Sequence, residues 1–251
     1  MHREATGLAG ARHTHYETLG STNAEALVLA RTGERGPLWI TARSQTAGRG
    51  RRGSAWVSAP GNLHATLLLT EPAPPDHAPQ LSFVTVLALH DAAATAAPQL
   101  GPLFTLKWPN DLLLGGAKVA GILIEGESEP FFTVAIGIGV NCATHPSGTA
   151  FPATDLAVAG ALVSPERLFA ALADAMERRL DQWRRGENFA EIRADWLKRA
   201  AGIGHDIRVR LPEREFSGRF VGLDEAGRLL VGGPAGVTVV TAGEVFGLDI
   251  G

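Results

Sequence analysis

Cysteine is almost absent from the sequence: Cys142 is the one example in 251 residues. No intrachain disulfide can therefore form, and the composition predicts a protein of the reducing cytoplasm. Long apolar runs are also missing. Residues 1–20 carry charges and histidines where a signal peptide needs an apolar stretch. The most apolar segment, residues 81–100, is interrupted by His90, Asp91 and Pro98, which indicates a buried helix and not a membrane span.

An excess of one charge is lacking as well. The formal net charge is -3 and the isoelectric point is near 6.2, which argues against a surface built as a whole for nucleic acid or an anionic membrane. The P-loop motif G-x-x-x-x-G-K-[ST] is missing, and "GIGVN" at 137–141 lacks the G-x-G-x-x-G of a dinucleotide fold. The sequence also has no internal repeat and no low-complexity tail. What it does have is a local concentration of charge, with three arginines and three glycines within residues 48–54.

Apolar periodicity and turn residues predict an α+β fold. Thr22 and Glu25 form a capping-box pattern for a short helix that Gly33 ends. Strands are expected at residues 37–43 and 64–70, with three or four more between 104 and 141 that include a hairpin at Gly115 and Gly116. Helices are expected from about 80 to 100, from 165 to 185 and from 188 to 200.

The residue pattern changes after Gly202, where four short strand-like runs are separated by Pro, Gly and Asp. This pattern is typical of a small β-barrel of about 50 residues. The sequence therefore predicts two domains, residues 1–201 and residues 202–251.

The arginine-glycine segment has two interpretations from composition alone. It is a solvated loop, or its glycine amides and guanidinium groups hold a carboxylate or phosphate. Binding of RNA or DNA by this loop is a third, non-catalytic possibility. A second polar group lies in "KWPNDLLLGGAK", where Lys107, Asn110, Asp111 and Lys118 sit in or beside apolar strands. Unpaired charges are costly there, so these residues are expected to share partners or a ligand.

Taken together, these motifs resemble the biotin protein ligases. The resemblance extends from about Glu17 to Ile250. It is carried by five segments in the family's order: "STN" at 21–23, "SQTAGRGRRGSAW" at 44–56, "KWPNDL" at 107–112, "KVAGIL" at 118–123 and "GIGVN" at 137–141. It implies a catalytic domain similar to class II synthetases, in which a mixed β-sheet is flanked by helices, followed by an SH3-like barrel. The activity it implies is formation of biotinyl-5'-AMP from biotin and Mg-ATP, then transfer of biotin to a lysine of a biotin carboxyl carrier protein.

The resemblance also implies roles for individual residues. Ser21, Thr22 and Gln45 would bind the ureido ring of biotin, and Gly48, Arg49 and Arg51 would face its carboxyl end. Lys118 is the first candidate for a catalytic residue, together with Arg51 and Arg49. The whole biotin set is Ser21, Thr22, Asn23, Gln45, Gly48, Arg49, Arg51, Lys118 and Gly121. The whole ATP set is Arg51, Trp56, Lys107, Asn110, Asp111, Lys118 and Asn141, with Asp111 as a metal ligand.

The expected partner is the carrier subunit of acetyl-CoA carboxylase. About 20 residues precede "STN", too few for a winged helix-turn-helix domain, so no nucleic-acid partner is expected. The oligomeric state is left open between monomer and homodimer, and no membrane partner is expected. The nearest alternative is a lipoate or octanoate protein ligase of the same fold.

Overall fold

The computed structural model describes residues 11–247. Residues 1–10 and 248–251, the outer ends of the two predicted domains, lie outside the described residues. Within the described part there are four α-helices: α1 Thr22–Arg31, α2 Leu81–Ala96, α3 Pro165–Trp183 and α4 Phe189–Leu197. The strands of the same part are β1 Arg12–Leu19, β2 Leu38–Gln45, β3 Leu63–Thr70, β4 Phe104–Lys107, β5 Asp111–Leu114, β6 Ala117–Glu127, β7 Thr133–Val140, β8 Asp206–Arg210, β9 Glu215–Leu223, β10 Leu229–Gly233, β11 Gly236–Val240 and β12 Glu244–Phe246.

Seven of these strands form one mixed sheet in the order β1-β2-β3-β7-β6-β5-β4. Strands β1 and β2 pair in parallel, and all other neighbours are antiparallel. The α+β prediction is thereby confirmed. Strand β1 was not predicted, because "RHTHYETL" is polar and charged; as an edge strand it is paired on one side only.

Helix α1 covers one face of this sheet. Its Ala26 and Leu27 pack with Ile40 and Leu68 in a small cluster. The helix begins where Ser21 caps it, because the Ser21 side chain accepts a hydrogen bond from the amide of Ala24. The capping residue is thus Ser21, and the prediction of Thr22 as the cap was wrong by one position. The consequence is that Ser21, Thr22 and the start of α1 lie together above the sheet.

The opposite face is covered by α2, α3 and α4 and holds the main core. Trp39, Trp183 and Trp196 are fully buried there. Helix α2 has eleven buried residues, as expected for its apolar sequence. Among the described residues, no helix is long and apolar enough to cross a membrane.

The predicted hairpin joins β5 to β6. Gly115 and Gly116 have φ angles of 55° and 82°, the positive values that a two-residue turn of this kind requires and that glycine adopts without strain. The preceding β4–β5 turn pairs Lys107 with Asp111, and β6 pairs Gly121 with Asp111. These two turns bring the polar residues of "KWPNDLLLGGAK" to one end of the sheet.

The C-terminal segment forms a five-stranded antiparallel sheet in the order β11-β10-β9-β8-β12. Four strands were predicted; the run "GVTVVTAGEV" breaks after Val240, and Glu244–Phe246 form the fifth. This sheet packs directly on the preceding part of the chain. Trp108 donates a hydrogen bond of 3.0 Å to the carbonyl of Gly227, and Phe220 belongs to the same core cluster as Trp196. The chain from Val240 to β12 is thereby held beside the main sheet.

Candidate active site

A cavity of about 340 Å³ lies above β6 and β7, enclosed by α1, the arginine-glycine segment and the loop before β12. It collects most of the predicted site residues. Gly48 is the exception: a Cβ there would lie 2.5 Å from Ser58 Oγ and 2.6 Å from the Trp56 carbonyl, so its role is close packing of the loop backbone. The predicted residues that line the cavity are Ser21, Thr22, Asn23, Gln45, Arg49, Arg51, Trp56, Lys107, Asn110, Asp111, Lys118, Gly121 and Asn141.

One end of the cavity is a neutral polar pocket. The Thr22 amide and hydroxyl donate to Gln45 Oε1 at 2.8 and 3.1 Å, and Gln45 Nε2 donates to Ser58 Oγ at 2.8 Å. Both polar atoms of the Gln45 amide are therefore fixed in direction. Such an end suits a compact uncharged group that carries both donors and acceptors.

Asn23 lines the same end, but its polar atoms already have protein partners. Its Nδ2 donates to Glu125 Oε2 at 2.9 Å and to the Leu123 carbonyl at 3.3 Å, and its Oδ1 accepts from the Thr66 hydroxyl at 2.7 Å. These bonds fix the side chain of Asn23 in the wall of the cavity, and its place in the biotin-binding set stays a prediction.

The other end is charged. Asp111 is buried, with Lys107 Nζ at 2.8 Å from Oδ2 and Lys118 Nζ at 2.6 Å from Oδ1. Burial opposes ionisation of this carboxyl, but the two ammonium groups outweigh it and lower its pKa to about 2. Lys107 is nearly buried, whereas 30% of the Lys118 side chain is exposed. Lys118 is thus the ammonium of the pair that is open to a ligand.

The predicted metal role of Asp111 does not fit this geometry. Both of its oxygens are committed to ammonium groups, and a cation would have to displace one of them. No group of three or more metal-ligating side chains exists among residues 11–247.

Arg51 crosses the cavity from the loop side. Its Nη1 donates to Asn110 Oδ1 at 3.3 Å, and Asn110 Nδ2 donates in turn to the Ile122 carbonyl of β6. Burial of the guanidinium lowers the pKa of Arg51. The same loss of water strengthens its attraction for an anion. Arg51 and Lys118 therefore offer positive charge from different elements that line one cavity.

Trp56 lies over the glycines of β6 and β7. A Cβ at Gly139 would be 2.4 Å from Trp56 Cε2, and one at Gly121 would be 3.3 Å from its Cζ3. Gly137 leaves the same kind of space for Asn23, whose Oδ1 would be 2.4 Å from a Cβ there. The alternating glycines of "GIGVN" thus make room for two site residues, Trp56 and Asn23. This role was not predicted from the sequence.

The arginine-glycine segment is a loop between β2 and β3, as predicted. The Trp56 amide donates to the Gly48 carbonyl at 2.9 Å, and the Gly50 amide donates to the Ser54 carbonyl at 2.7 Å. These bonds fold the loop back on itself across the cavity. Arg49 and Arg51 line the cavity, whereas Arg52 is exposed.

One wall was not predicted at all. Phe151 lies with its ring centroid 4.4 Å from Lys107 Nζ and 6.5 Å from the ring centroid of Phe246. Glu244 and Phe246 bring the C-terminal sheet into the cavity lining. Asn141 also lines this region, but its Nδ2 donates to the Thr154 carbonyl at 3.0 Å. Only tertiary packing brings these segments together, and no local motif marks Phe151.

Known proteins are similar to this chain over most of its length. The Biotin/lipoate A/B protein ligase family matches residues 21–141, and the Biotin protein ligase C terminal domain matches residues 202–247. The biotin--[acetyl-CoA-carboxylase] ligase of Paracoccus denitrificans is 45% identical over 237 residues, covering 90% of this chain and 96% of its own. The same type of ligase from Mycobacterium tuberculosis is 34% identical over 238 residues, covering 91% and 86%.

A solved structure shows the same architecture. Biotin protein ligase from Aquifex aeolicus, in complex with biotin and ATP, has a TM-score of 0.79 and 26% identity, covering 93% of this chain and 97% of that one. With the sequence relatives and both domain matches, this fold places the chain in the biotin protein ligase family.

Proposed function

We propose that the chain joins biotin to AMP and then transfers biotin to a lysine of a biotin carboxyl carrier protein. In the first step a carboxylate oxygen of biotin attacks the α-phosphorus of ATP, and the bond to pyrophosphate breaks. In the second, the carrier lysine attacks the acyl carbon and AMP leaves. One observation carries the proposal: a single cavity has a neutral polar end at Gln45 and a cationic end at Lys118.

The charged end suits the first step. A carboxylate and a triphosphate repel each other, so a site that joins them must supply positive charge where they meet. Arg49, Arg51, Lys107 and Lys118 line the cavity, against two carboxylates, Asp111 and Glu244.

Lys118 is the proposed catalytic residue because its ammonium is held at a defined place and remains partly open. Asp111 fixes it at 2.6 Å, and the ring of Trp56 lies 5.7 Å from it. There it can stabilise charge on the α-phosphoryl oxygens in adenylation and on the carbonyl oxygen in transfer. Arg51 and Arg49 are proposed to act beside it from the loop.

The neutral end is proposed to hold the ureido ring of biotin, through Ser21, Thr22 and Gln45. Trp56 and the Phe151 wall are proposed to hold the nucleotide, as flat apolar surfaces for a base. Lys107 and Asn110 are assigned to the phosphate side. Both carboxylate oxygens of Asp111 contact lysine ammonium groups, so Asp111 is not proposed as a metal ligand. Mg²⁺ would instead be bound through the phosphate oxygens of ATP.

Two arguments support biotin chemistry over the alternatives. Two of the three arginines of the loop, Arg49 and Arg51, line the cavity, which favours ligand binding over nucleic-acid binding by this loop. The curated relatives compared above are named biotin--[acetyl-CoA-carboxylase] ligases, and the carrier of that carboxylase is the proposed acceptor.

Pyrophosphate release tests the proposal. The chain is incubated with Mg-ATP and biotin, lipoate, octanoate or no acid. Release with biotin alone supports the assignment. Release with lipoate or octanoate but not with biotin makes the chain an acyl ligase of the related kind, and no release with any acid contradicts ligase activity.

A further inference from the structure

Glu125 of β6 does not line the cavity, but its carboxylate contacts two residues that do, Asn23 and Arg49. Its Oε2 accepts a hydrogen bond from Asn23 Nδ2 at 2.9 Å and one from Arg49 Nη2 at 3.0 Å. Asn23 belongs to the first turn of α1, and Arg49 to the arginine-glycine loop. One carboxylate oxygen therefore ties the loop to the helix across the end of β6.

The strand register explains how Glu125 reaches this place. Alternate residues of a strand face the same side, so Gly121, Leu123 and Glu125 all point toward α1 and the loop. Gly121 lies under Trp56 at the charged end of the cavity, and the Leu123 carbonyl accepts from Asn23 at the neutral end. Glu125 is the next residue along this row, beyond the cavity lining.

The contact between Arg49 and Glu125 is an ion pair. The carboxylate is 27% exposed and the Arg49 side chain 44% exposed, so water screens the pair in part. The hydrogen bond to Asn23 orients the carboxylate, because Asn23 is itself held by Thr66 and Leu123. A guanidinium on a flexible glycine-rich loop thus meets a carboxylate whose position is already fixed.

Resting on the proposed function, we infer that Glu125 is a positioning residue that holds the arginine-glycine loop over bound biotin and its adenylate. Glu125 touches neither reactant. It acts through Arg49, whose loop closes the cavity, and through Asn23, which shapes the biotin end. Loss of the carboxylate leaves the chemical groups in place but lets the loop open more often.

The chain provides a matched control two residues away. Glu127 faces the same side of β6, is 26% exposed, and pairs with Arg31, with Arg31 Nε 2.8 Å from Oε2. It does not line the cavity. Glu127→Gln therefore removes an equivalent ion pair between α1 and β6 without touching the loop.

The test compares Glu125→Gln, Glu125→Ala and Glu127→Gln in the full chain. Glu125→Gln retains an acceptor for Asn23 but loses the charge, so we expect the KM for biotin to rise about two- to fivefold. Glu125→Ala loses both bonds, and a rise of about tenfold is expected. More adenylate should escape into solution per biotin transferred, and Glu127→Gln should match wild type in both readouts.

Hydrogen exchange supplies a readout that does not depend on activity. Amides of residues 47–56 should exchange faster in both Glu125 variants than in wild type or Glu127→Gln. In a double-mutant cycle of Glu125→Gln and Arg49→Gln, the effects of the two substitutions on the KM for biotin should be non-additive, because the two residues form one contact.

The possible results distinguish the positioning role of Glu125 from the proposed ligase activity. If Glu125→Ala and Glu127→Gln have the same amide exchange, the same KM for biotin and the same release of adenylate, Glu125 has no positioning role. The ligase activity of the wild-type chain is unaffected by that result. Faster exchange of residues 47–56 in the Glu125 variants, with no pyrophosphate release by any form, supports the contact and overturns the proposed function alone.

Discussion

The ammonium of Lys118 lies 2.6 Å from Oδ1 of Asp111, and Lys107 lies 2.8 Å from the other oxygen of the same carboxylate. A buried anion therefore holds two cations, one of them nearly buried and the other open to the cavity. This arrangement holds Lys118 in place beside the cavity.

Replacing Lys118 by Met should lower the rate of adenylate formation by a factor of about 10² or more. Methionine keeps the aliphatic stem beside Trp56 but removes the charge, and one such donor in a site shielded from water is worth about 3 kcal/mol. Single-turnover formation of biotinyl-adenylate measures the effect. Lys198→Met, at the residue that follows α4, is the control, because that side chain is 70% exposed. A rate near that of the control would remove Lys118 from the mechanism.

Asp111→Asn should destabilise the fold by about 3 kcal/mol, because it leaves the nearly buried Lys107 without its counter-ion. Urea unfolding at pH 7 measures this loss, with the exposed Asp76→Asn as control. Equal midpoints for the two variants would show that the ion pairs contribute nothing to stability.

The stability contributed by Asp111 should also depend on pH. Its folded-state pKa is lowered to about 2, below the unfolded value of about 3.9. The contribution is therefore present above pH ~4 and is lost as the pH falls toward ~2. The difference in unfolding free energy between wild type and Asp111→Asn should narrow over this window; a constant difference would contradict the lowered pKa.

Arg51→Gly should increase release of biotinyl-adenylate about tenfold, since a charge-assisted hydrogen bond to an anionic ligand is worth about 1.5 kcal/mol or more. Arg52→Gly is a matched control, because Arg52 is exposed and its φ of 54° already suits glycine. Adenylate in solution is measured after rapid filtration. Release that is the same in both variants would mean that Arg51 does not retain the adenylate.

Gly139→Ala should raise the KM for ATP more than the KM for biotin. The added Cβ would lie 2.4 Å from Trp56 Cε2 and must push the indole out of place. At Gly101 a Cβ meets nothing within 4 Å, so Gly101→Ala provides the control. Steady-state titration with each substrate distinguishes the two effects, and an unchanged KM for ATP would argue against a nucleotide role for Trp56.

The parts of the site that could be predicted from sequence are those carried by short motifs. The segments around Arg51, Asp111 and Lys118 carry the resemblance to the biotin protein ligases, and that resemblance implied that these residues share one site. The two hairpin glycines between β5 and β6 likewise specify their own turn.

The remaining features depend on tertiary contacts. Phe151 and Phe246 meet only because the C-terminal sheet packs beside the loop before α3. Strand β1 is polar in sequence because it lies at an edge. Asn23 belongs to a family motif, yet its hydrogen bonds with Glu125 and Thr66 show that it holds the wall, which a motif alone does not reveal.

The central claim is that this cavity activates biotin and transfers it to a carrier lysine. The most direct measurement is mass spectrometry of a biotin carboxyl carrier domain after incubation with the chain, biotin and Mg-ATP, beside a carrier whose acceptor lysine is arginine. The account predicts one biotinyl group on the first carrier, none on the second, and a rate at least about 10² lower with Lys118→Met. An unmodified first carrier, or equal labelling of both, would contradict it.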